Sequence, residues 1–528
     1  MVVTFEPQDY LSEKAKSRSQ SHFAVLDPET APPGFKPHPS PISFHFGKPN
    51  EGFFPIEQID LTLADFPFQN YLKSGITNGS LESLLNVKGR SDAYGQNQYT
   101  ETNAEWEKVY RRGSGSDNKA KIPKKGASKD LIDLADGLQY SEYRGYPQLL
   151  NFTKQFIKRL HNPGYEEWDT FMCQGASDGL LKIADVLFNE GDIVLVEEFT
   201  FPPVLGQIAA LGAIAVPVKA DLSTKAGNDG IDVDYLSNLL ESWGDVYPQY
   251  KGAKIKAFYT IPTGQNPTGF TQSDETRTRV YELAKKYDFL ILEDDPYGYI
   301  SLPPYSAPER ALSLDQFLTI DEYLASHLAP SYLRYDTEGR VLRVETFSKV
   351  FAPGLRLGFV VAHKKFLNAM GKFQLLRPPS GTSQLIFQNT VEKLGGVDGF
   401  INWILKVRET YVHRKNLLYH HIKESDAYKK KYVDIIDPLA GMFMSVLIRI
   451  PKDEDQEKKM GLLTWKLIAH GINAVPGIKM ASDKSFSKDN ANFFRLTFAA
   501  AENDAEILEG AKRFTNGVED FFNNDLNY

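Results

Sequence analysis

The chain is nearly devoid of cysteine. Cys173 is the single one in 528 residues, so no intramolecular disulfide can form and a reducing compartment fits best. Long apolar runs are missing too, and nothing approaches the length needed to span a bilayer. The first twenty residues, MVVTFEPQDYLSEKAKSRSQ, lack the apolar core of a secretory signal, and Glu6, Asp9 and Glu13 are out of keeping with an acid-poor mitochondrial presequence. Basic charge is not in excess. The formal net charge is −8, so the overall field repels nucleic acid and no nucleic-acid partner is expected. These absences together predict a cytoplasmic protein without a membrane partner.

What remains is an ordinary globular balance, with 42% hydrophobic and 24% charged residues. A chain this long exceeds one compact core, which predicts two packed domains plus arms. Residues 1–60 read as an N-terminal arm, because prolines at 28, 32, 33, 37, 39, 41, 49 and 55 forbid long helices there. Residues 88–130 are polar and read as a solvated, flexible insertion. The basic stretch Arg111, Arg112, Lys119, Lys121, Lys124, Lys125 and Lys129 within it is also compatible with a local nucleic-acid patch.

From about residue 131 the texture changes. Leu180, Ile183, Ala184 and Leu187 recur at helical spacing behind Gly175-Ala176-Ser177. Short apolar runs predict strands over 193–196, 256–260, 289–292, 341–347 and 355–362, with a helix over 274–287. Strands alternating with helices predict an α/β fold, with a large domain (61–384) built on a mainly parallel sheet. After residue 385 helices with a few strands predict a smaller α+β C-terminal domain (385–528).

Four segments set polar residues just beyond a strand or at a helix start, where ligands of such sheets bind. CQGASDGL (173–180) offers open backbone N–H groups to an anion, or an ordinary helix cap. YTIPTGQNPTGF (259–270) makes a tight polar turn. ILEDDPYGYI (291–300) sets three acids after a buried strand, of which one should sit at the strand end. Metal binding is the alternative for such a cluster, although no histidine or further acid lies at ligand spacing. ETFSKVFAPGLRLGF (345–359) gathers Thr346, Ser348, Lys349 and Arg356. Hydroxyl plus guanidinium suits phosphate, and the lysine is either a further phosphate clamp or a nucleophile.

NPTG, EDDPYGY and TFSKVFAPGLRLG, in this order, resemble the fold-type I pyridoxal 5′-phosphate (PLP) aminotransferases. The branch resembled is that of the fungal aromatic aminotransferases I and II and the kynurenine/2-aminoadipate aminotransferase. Further blocks carry the likeness: LSEKAKSR (11–18), GLQYSEYRGYPQLLNF (137–152), KKYDFLILEDDPY (285–297), PLAGMFM (438–444) and FFRLTFAAA (493–501). The resemblance implies that Lys349 forms the Schiff base with PLP and, once freed, moves a proton. It implies that Asp294 pairs with the pyridine nitrogen, and that Asn266 and Tyr297 bond the ring oxygen. Ser348, Arg356 and the backbone at Ala176 and Ser177 are implied to bind the phosphate, Phe201 to stack on the ring, and Tyr140 to reach the phosphate of a neighbouring subunit in a homodimer. Arg495 is the implied clamp for the substrate carboxylate, with Asn266 and Gly47 also on the substrate side.

Departures from the family are local. Only Gly47 and Pro49 match the glycine-rich segment, here FHFGKPNEGFFP; Ala176 stands where many relatives carry serine, and Phe201 replaces the more usual tyrosine. The implied reaction is ping-pong transfer of an amino group from an aromatic amino acid to a 2-oxo acid such as 2-oxoglutarate. The same branch includes 2-aminoadipate and kynurenine specificity. A PLP-fold transcriptional regulator would carry a basic helix-turn-helix domain ahead of this part, where the present chain is proline-rich.

Overall fold

The computed structural model describes residues 5–18, 32–36, 39, 49–64, 119–305, 318–374, 377–501 and 504–528. Its main sheet uses β3 (Trp168–Cys173), β4 (Ile193–Glu197), β5 (Ile214–Val218), β6 (Ile255–Thr260), β7 (Leu290–Asp294), β8 (Val341–Thr346) and β9 (Gly358–His363). They lie in the order β3-β9-β8-β7-β6-β4-β5. Strands β5, β4, β6, β7 and β8 run parallel, and β9 is antiparallel to both its neighbours, β8 and β3. The α/β architecture with a mainly parallel sheet is therefore as predicted.

Strand alternation divides the apolar side chains between two faces. Val194, Val196, Ala257, Tyr259, Leu290, Leu292, Leu342 and Val344 pack with Leu180, Ile183, Ala184 and Leu187 of the helix Ala176–Leu187. Ile193, Leu195, Phe258, Ile291 and Val341 pack on the opposite side with Phe152 and Phe156 of the helix Pro147–Leu160 and Val280 and Ala284 of the helix Asp274–Tyr287. Both faces are covered, which is why these strands read as continuous apolar runs. The helix Asp274–Tyr287 has the bounds its sequence predicts. Ser273 accepts from the Thr276 N–H, acids fill the first turn and Lys285 and Lys286 the last, and Asp288 ends it at φ 58°.

Several boundaries differ from the sequence reading. The strand expected over 355–362 starts only at Gly358. Pro353–Leu355 is a short 3-10 turn, and Arg356 takes φ 48°, a left-handed conformation that no strand tolerates. Strand β7 runs on to Asp294, so Glu293 and Asp294 belong to the strand rather than following it. Their backbones pair with Arg343 and Val344 of β8. Within the polar segment 88–130, Lys119–Pro123 forms a strand, β2, antiparallel to β1 (Gln58–Thr62), and Ile122 is buried there; residues 88–118 lie outside the described ones. Strand β1 passes through residue 60, and the helix Gly381–Leu394 passes through residue 385 without a break.

Toward the C-terminus, β10 (Val433–Ile435), β11 (Phe443–Ile448), β12 (Val475–Pro476) and β13 (Phe493–Thr497) form an antiparallel sheet in the order β10-β11-β13-β12. The helices Gly396–Glu424, Gln456–Ala469 and Asp504–Asn523 contribute apolar residues to the core beside it. At the other end, Glu13–Ser17 is a short helix, and Ser12 N–H donates to the Val186 carbonyl at 2.7 Å, which docks the start of the chain on the main body. Among the described residues no helix is long and apolar enough to cross a membrane.

Candidate active site

The four polar segments all leave the main sheet at the carboxyl ends of β3, β6, β7 and β8, which point to one edge. Alternation along β7 sorts its acids. Asp294 shares the face of Leu290 and Leu292, whereas Glu293 turns to the other face. Glu293 and Asp295 both pair with Arg343 Nη1, at 2.7 and 2.9 Å, and Glu345 takes Arg343 Nε at 2.6 Å. Asp294 is left out of that network. Its Oδ2 accepts from the Tyr259 hydroxyl at 2.6 Å, and its Oδ1 is buried without a partner. Burial pushes the Asp294 carboxyl up to about 6, and Asp295 adds to the rise, while Tyr259 and Arg343 oppose it. A buried acceptor with one empty oxygen suits a cationic N–H donor.

An anion cradle forms between β3 and β8. Gly175 stands at φ 82° before the helix Ala176–Leu187, so the N–H groups of its first turn open toward the cleft. The positive φ favours glycine, and a Cβ there would lie 2.7 Å from Arg356 Nη2, which would have to move aside. Arg356 itself makes only long contacts, to the Pro353 carbonyl at 3.4 Å and the Gln174 carbonyl at 3.5 Å. The Ser348 hydroxyl accepts from Thr346 Oγ1 at 2.9 Å, which leaves its own hydrogen for a further acceptor. Lys349 follows. Burial and the nearby Arg356 charge both lower its pKa, which favours the neutral, nucleophilic amine. Ala176 and Phe201, the latter capping the helix Pro202–Ala210, pack on the same apolar cluster as Tyr259 and Tyr297.

A second group faces this one from the C-terminal sheet. Arg495, on β13, donates from Nη1 to Asn266 Oδ1 at 2.7 Å, and its guanidinium carbon lies 4.1 Å from the centre of the Phe443 ring. Burial lowers its pKa, opposed by Tyr297. Among the described residues no carboxylate lies within ion-pair reach of Arg495. Tyr297 is buried, packs edge-to-face on Phe443 at 5.8 Å, and has its pKa raised by burial and then by Asp294. A half-buried guanidinium fork without an acid suits an incoming carboxylate.

Two sequence-predicted residues stand apart. Tyr140 is 73% exposed on the single chain and reaches none of these groups. Gly47 lies outside the described residues. Two residues of the cleft, Tyr259 and Phe443, and the buried Arg343 behind it escaped sequence reasoning. Counting by two along the predicted strand 256–260 sets Tyr259 on one face, but which face carries Asp294 emerges only from the strand order. Among the described residues no cluster of histidine, cysteine and acids could hold a metal ion.

A buried carboxylate, a helix-start anion cradle backed by arginine, and a lysine of lowered pKa beside that arginine suit an α/β enzyme built around an anionic, cationic-ringed cofactor. The chain belongs to the family of class I and II aminotransferases, whose model matches residues 114–514. Dependence on pyridoxal 5′-phosphate comes with that family, and the residues present fit the group: the empty Asp294 oxygen could accept from its ring nitrogen, and the Gly175–Arg356 cradle could take its phosphate. Aromatic amino acid aminotransferase 2 of Saccharomyces cerevisiae is 34% identical over 504 residues, covering 90% of each chain. The mitochondrial kynurenine/alpha-aminoadipate aminotransferase of Mus musculus is 31% identical, covering 70% of this chain and 80% of that one. Among solved structures, the aromatic aminotransferase Aro9 from C. albicans superposes with a TM-score of 0.85 at 46% identity, covering 99% of this chain and 100% of that one.

Proposed function

We propose that this protein moves the amino group of an aromatic amino acid, phenylalanine, tyrosine or tryptophan, to a 2-oxo acid such as 2-oxoglutarate. The observation that carries the transfer reaction is Arg495, a guanidinium without an acid partner that is tied to Asn266 beside Tyr297. Donor and acceptor share only the α-carboxylate, so one clamp serves both half-reactions. The aromatic class rests on the likeness to Aro9 and to the yeast enzyme, and on Phe443 and Tyr297 beside the clamp. Assay of phenylalanine, tyrosine, tryptophan, kynurenine and 2-aminoadipate against 2-oxoglutarate tests it. The highest kcat/KM is expected for an aromatic donor, and a preference for kynurenine or 2-aminoadipate would follow the mouse relative instead.

Each residue has a chemical task. PLP, when bound, supplies an aldehyde that condenses with amines and a protonated ring that accepts electrons from the substrate Cα. Lys349 would anchor it and, as a free amine, would carry a proton at the substrate Cα. Asp294 would accept from the ring nitrogen through its unpartnered oxygen and so favour the protonated ring. Asn266 and Tyr297 would donate to the ring hydroxyl oxygen, and Phe201 would cover the ring face. Ser348, Arg356 and the N–H groups of Ala176 and Ser177 would hold the phosphate. In domain terms, the cleft lies between a large PLP-binding part (61–384) and a smaller C-terminal part (385–528), with 1–60 as an arm.

Arg495→Lys is expected to raise KM for the amino donor and the oxo acid together by about 10- to 100-fold, the cost of one bidentate charged pair. Steady-state kinetics with each substrate varied decides it. Unchanged KM for both would remove Arg495 from the carboxylate site.

The active unit is a homodimer in the cytoplasm. Tyr140, exposed on the single chain, serves the phosphate of the neighbouring subunit. Mixing inactive Lys349→Ala subunits with Tyr140→Phe subunits should therefore restore part of the activity after exchange, because hybrids hold one site free of both defects. A fully active monomer in sedimentation at assay concentration would overturn the shared site. A fluorescent fusion that concentrates in an organelle would overturn the cytoplasmic placement.

A further inference from the structure

The turn that presents Asn266 is held from behind by one buried side chain. Glu197, the last residue of β4, is buried on the far side of the turn from Arg495. Its Oε1 accepts from Thr260 Oγ1 at 2.8 Å and Gln272 Nε2 at 3.3 Å; its Oε2 accepts from the Ile261 N–H at 3.1 Å and Gln265 Nε2 at 3.0 Å. All four partners donate and so favour the ionised carboxylate, while burial outweighs them and pushes the Glu197 carboxyl up to about 7. Gln265 extends the hold. Its Nε2 also donates to the Phe199 carbonyl at 2.6 Å, and its Oε1 accepts from Thr268 N–H at 2.9 Å and Thr268 Oγ1 at 2.8 Å. The backbone closes on the same residue, with Gln265 N–H donating to the Phe270 carbonyl at 2.8 Å. The turn 261–270 is buried throughout, and a cavity of about 20 Å³, room for one water, lies behind it, lined by Glu197, Phe199, Gln265, Thr268, Phe270 and Gln272. On its front, Ser445 Oγ donates to the Pro267 carbonyl at 2.8 Å and Arg495 bonds Asn266.

We propose that Glu197 is a positioning residue for substrate recognition: through Gln265 and the Ile261 amide it clamps the turn 261–270, so that Asn266 Oδ1 holds Arg495 in the orientation that receives the substrate carboxylate. The proposal rests on Arg495 being the carboxylate clamp. Glu197 touches neither substrate nor cofactor, so its removal acts on binding before chemistry.

Glu197→Gln sets an amide donor against two of four donors. Gln265→Met keeps the volume and removes the relay. In both holoenzymes, KM for donor and acceptor should rise about tenfold, the size of one lost charge-assisted hydrogen bond, with kcat within about threefold of wild type. Amide hydrogen exchange should quicken in peptides covering 261–270 and stay unchanged in the helix Ala176–Leu187. Unchanged exchange in the turn overturns the clamp, and so does an equal rise throughout β4, β6 and the helix, which marks a merely structural role. Quickened exchange with unchanged KM overturns the link to substrate binding. Should Glu197→Gln fail to fold, Gln265→Met carries both readouts. Unchanged KM in Arg495→Lys would reject the carboxylate assignment separately, and the exchange data would still judge the clamp.

Discussion

Lys349→Ala is expected to lose amino transfer by on the order of 10³-fold or more, with its fold intact. Alanine removes both the amine that anchors the cofactor and the group that carries the substrate proton, and either loss alone is costly. The fold should survive because, among the described residues, Lys349 makes no ion pair, and burial and then the Arg356 charge already disfavour its charged form. Turnover with an aromatic donor, alongside a thermal melt, reads both halves of the expectation. Borohydride reduction of the wild type followed by peptide mapping should place the pyridoxyl group on the peptide containing Lys349. A label on another lysine would end the assignment.

Asp294→Asn should lower kcat by roughly 10²- to 10³-fold, the typical cost of losing one preorganised partner to developing charge, while KM changes little. An amide cannot balance a protonated ring. The three acids of EDD are not interchangeable: Glu293 and Asp295 are committed to Arg343, and Asp294 alone, of the three, faces the cleft with Tyr259 behind it. Near-normal turnover in this variant would point to Asp295, whose Oδ1 is also buried without a partner. A pH effect accompanies the assignment. Asp294 is raised to about 6 before any cation meets it, so the apoprotein should bind PLP more weakly as pH falls below about 6, where the protonated carboxyl no longer favours the ring cation. A titration of apoprotein with PLP at pH 5 and pH 7.5 measures it; equal affinity would count against Asp294 as the ring partner.

The legible part of the fold was the part governed by local rules. The helix Asp274–Tyr287 had its cap, charges and stop within sixteen residues, and the buried strands were apolar up to their last residues. The turn at Arg356 was not legible, because Pro353 and Gly354 allow a strand entry or a tight turn, and the choice depends on Arg356 reaching back to Gly175. Nor was β2, since Lys119–Pro123 reads as a charged linker until β1 lies beside it and Ile122 finds a core with Leu134 and Leu385.

The sequence by itself determined the chemistry on offer: a lysine after a strand, acids at the end of another, a helix start for an anion, and an arginine in FFRLTF. Those signals are local, because a strand, a turn and a helix start are each specified by neighbours within a few residues. Tertiary structure alone decided which acid is unpaired, that Arg495 meets Asn266 across 229 positions, and that Glu197 backs the turn between them. Sheet order and the docking of the C-terminal strands set these contacts, and burial then fixes their worth: a carboxylate is cheap in water and demanding in a core, so its partners are known only once the core has closed.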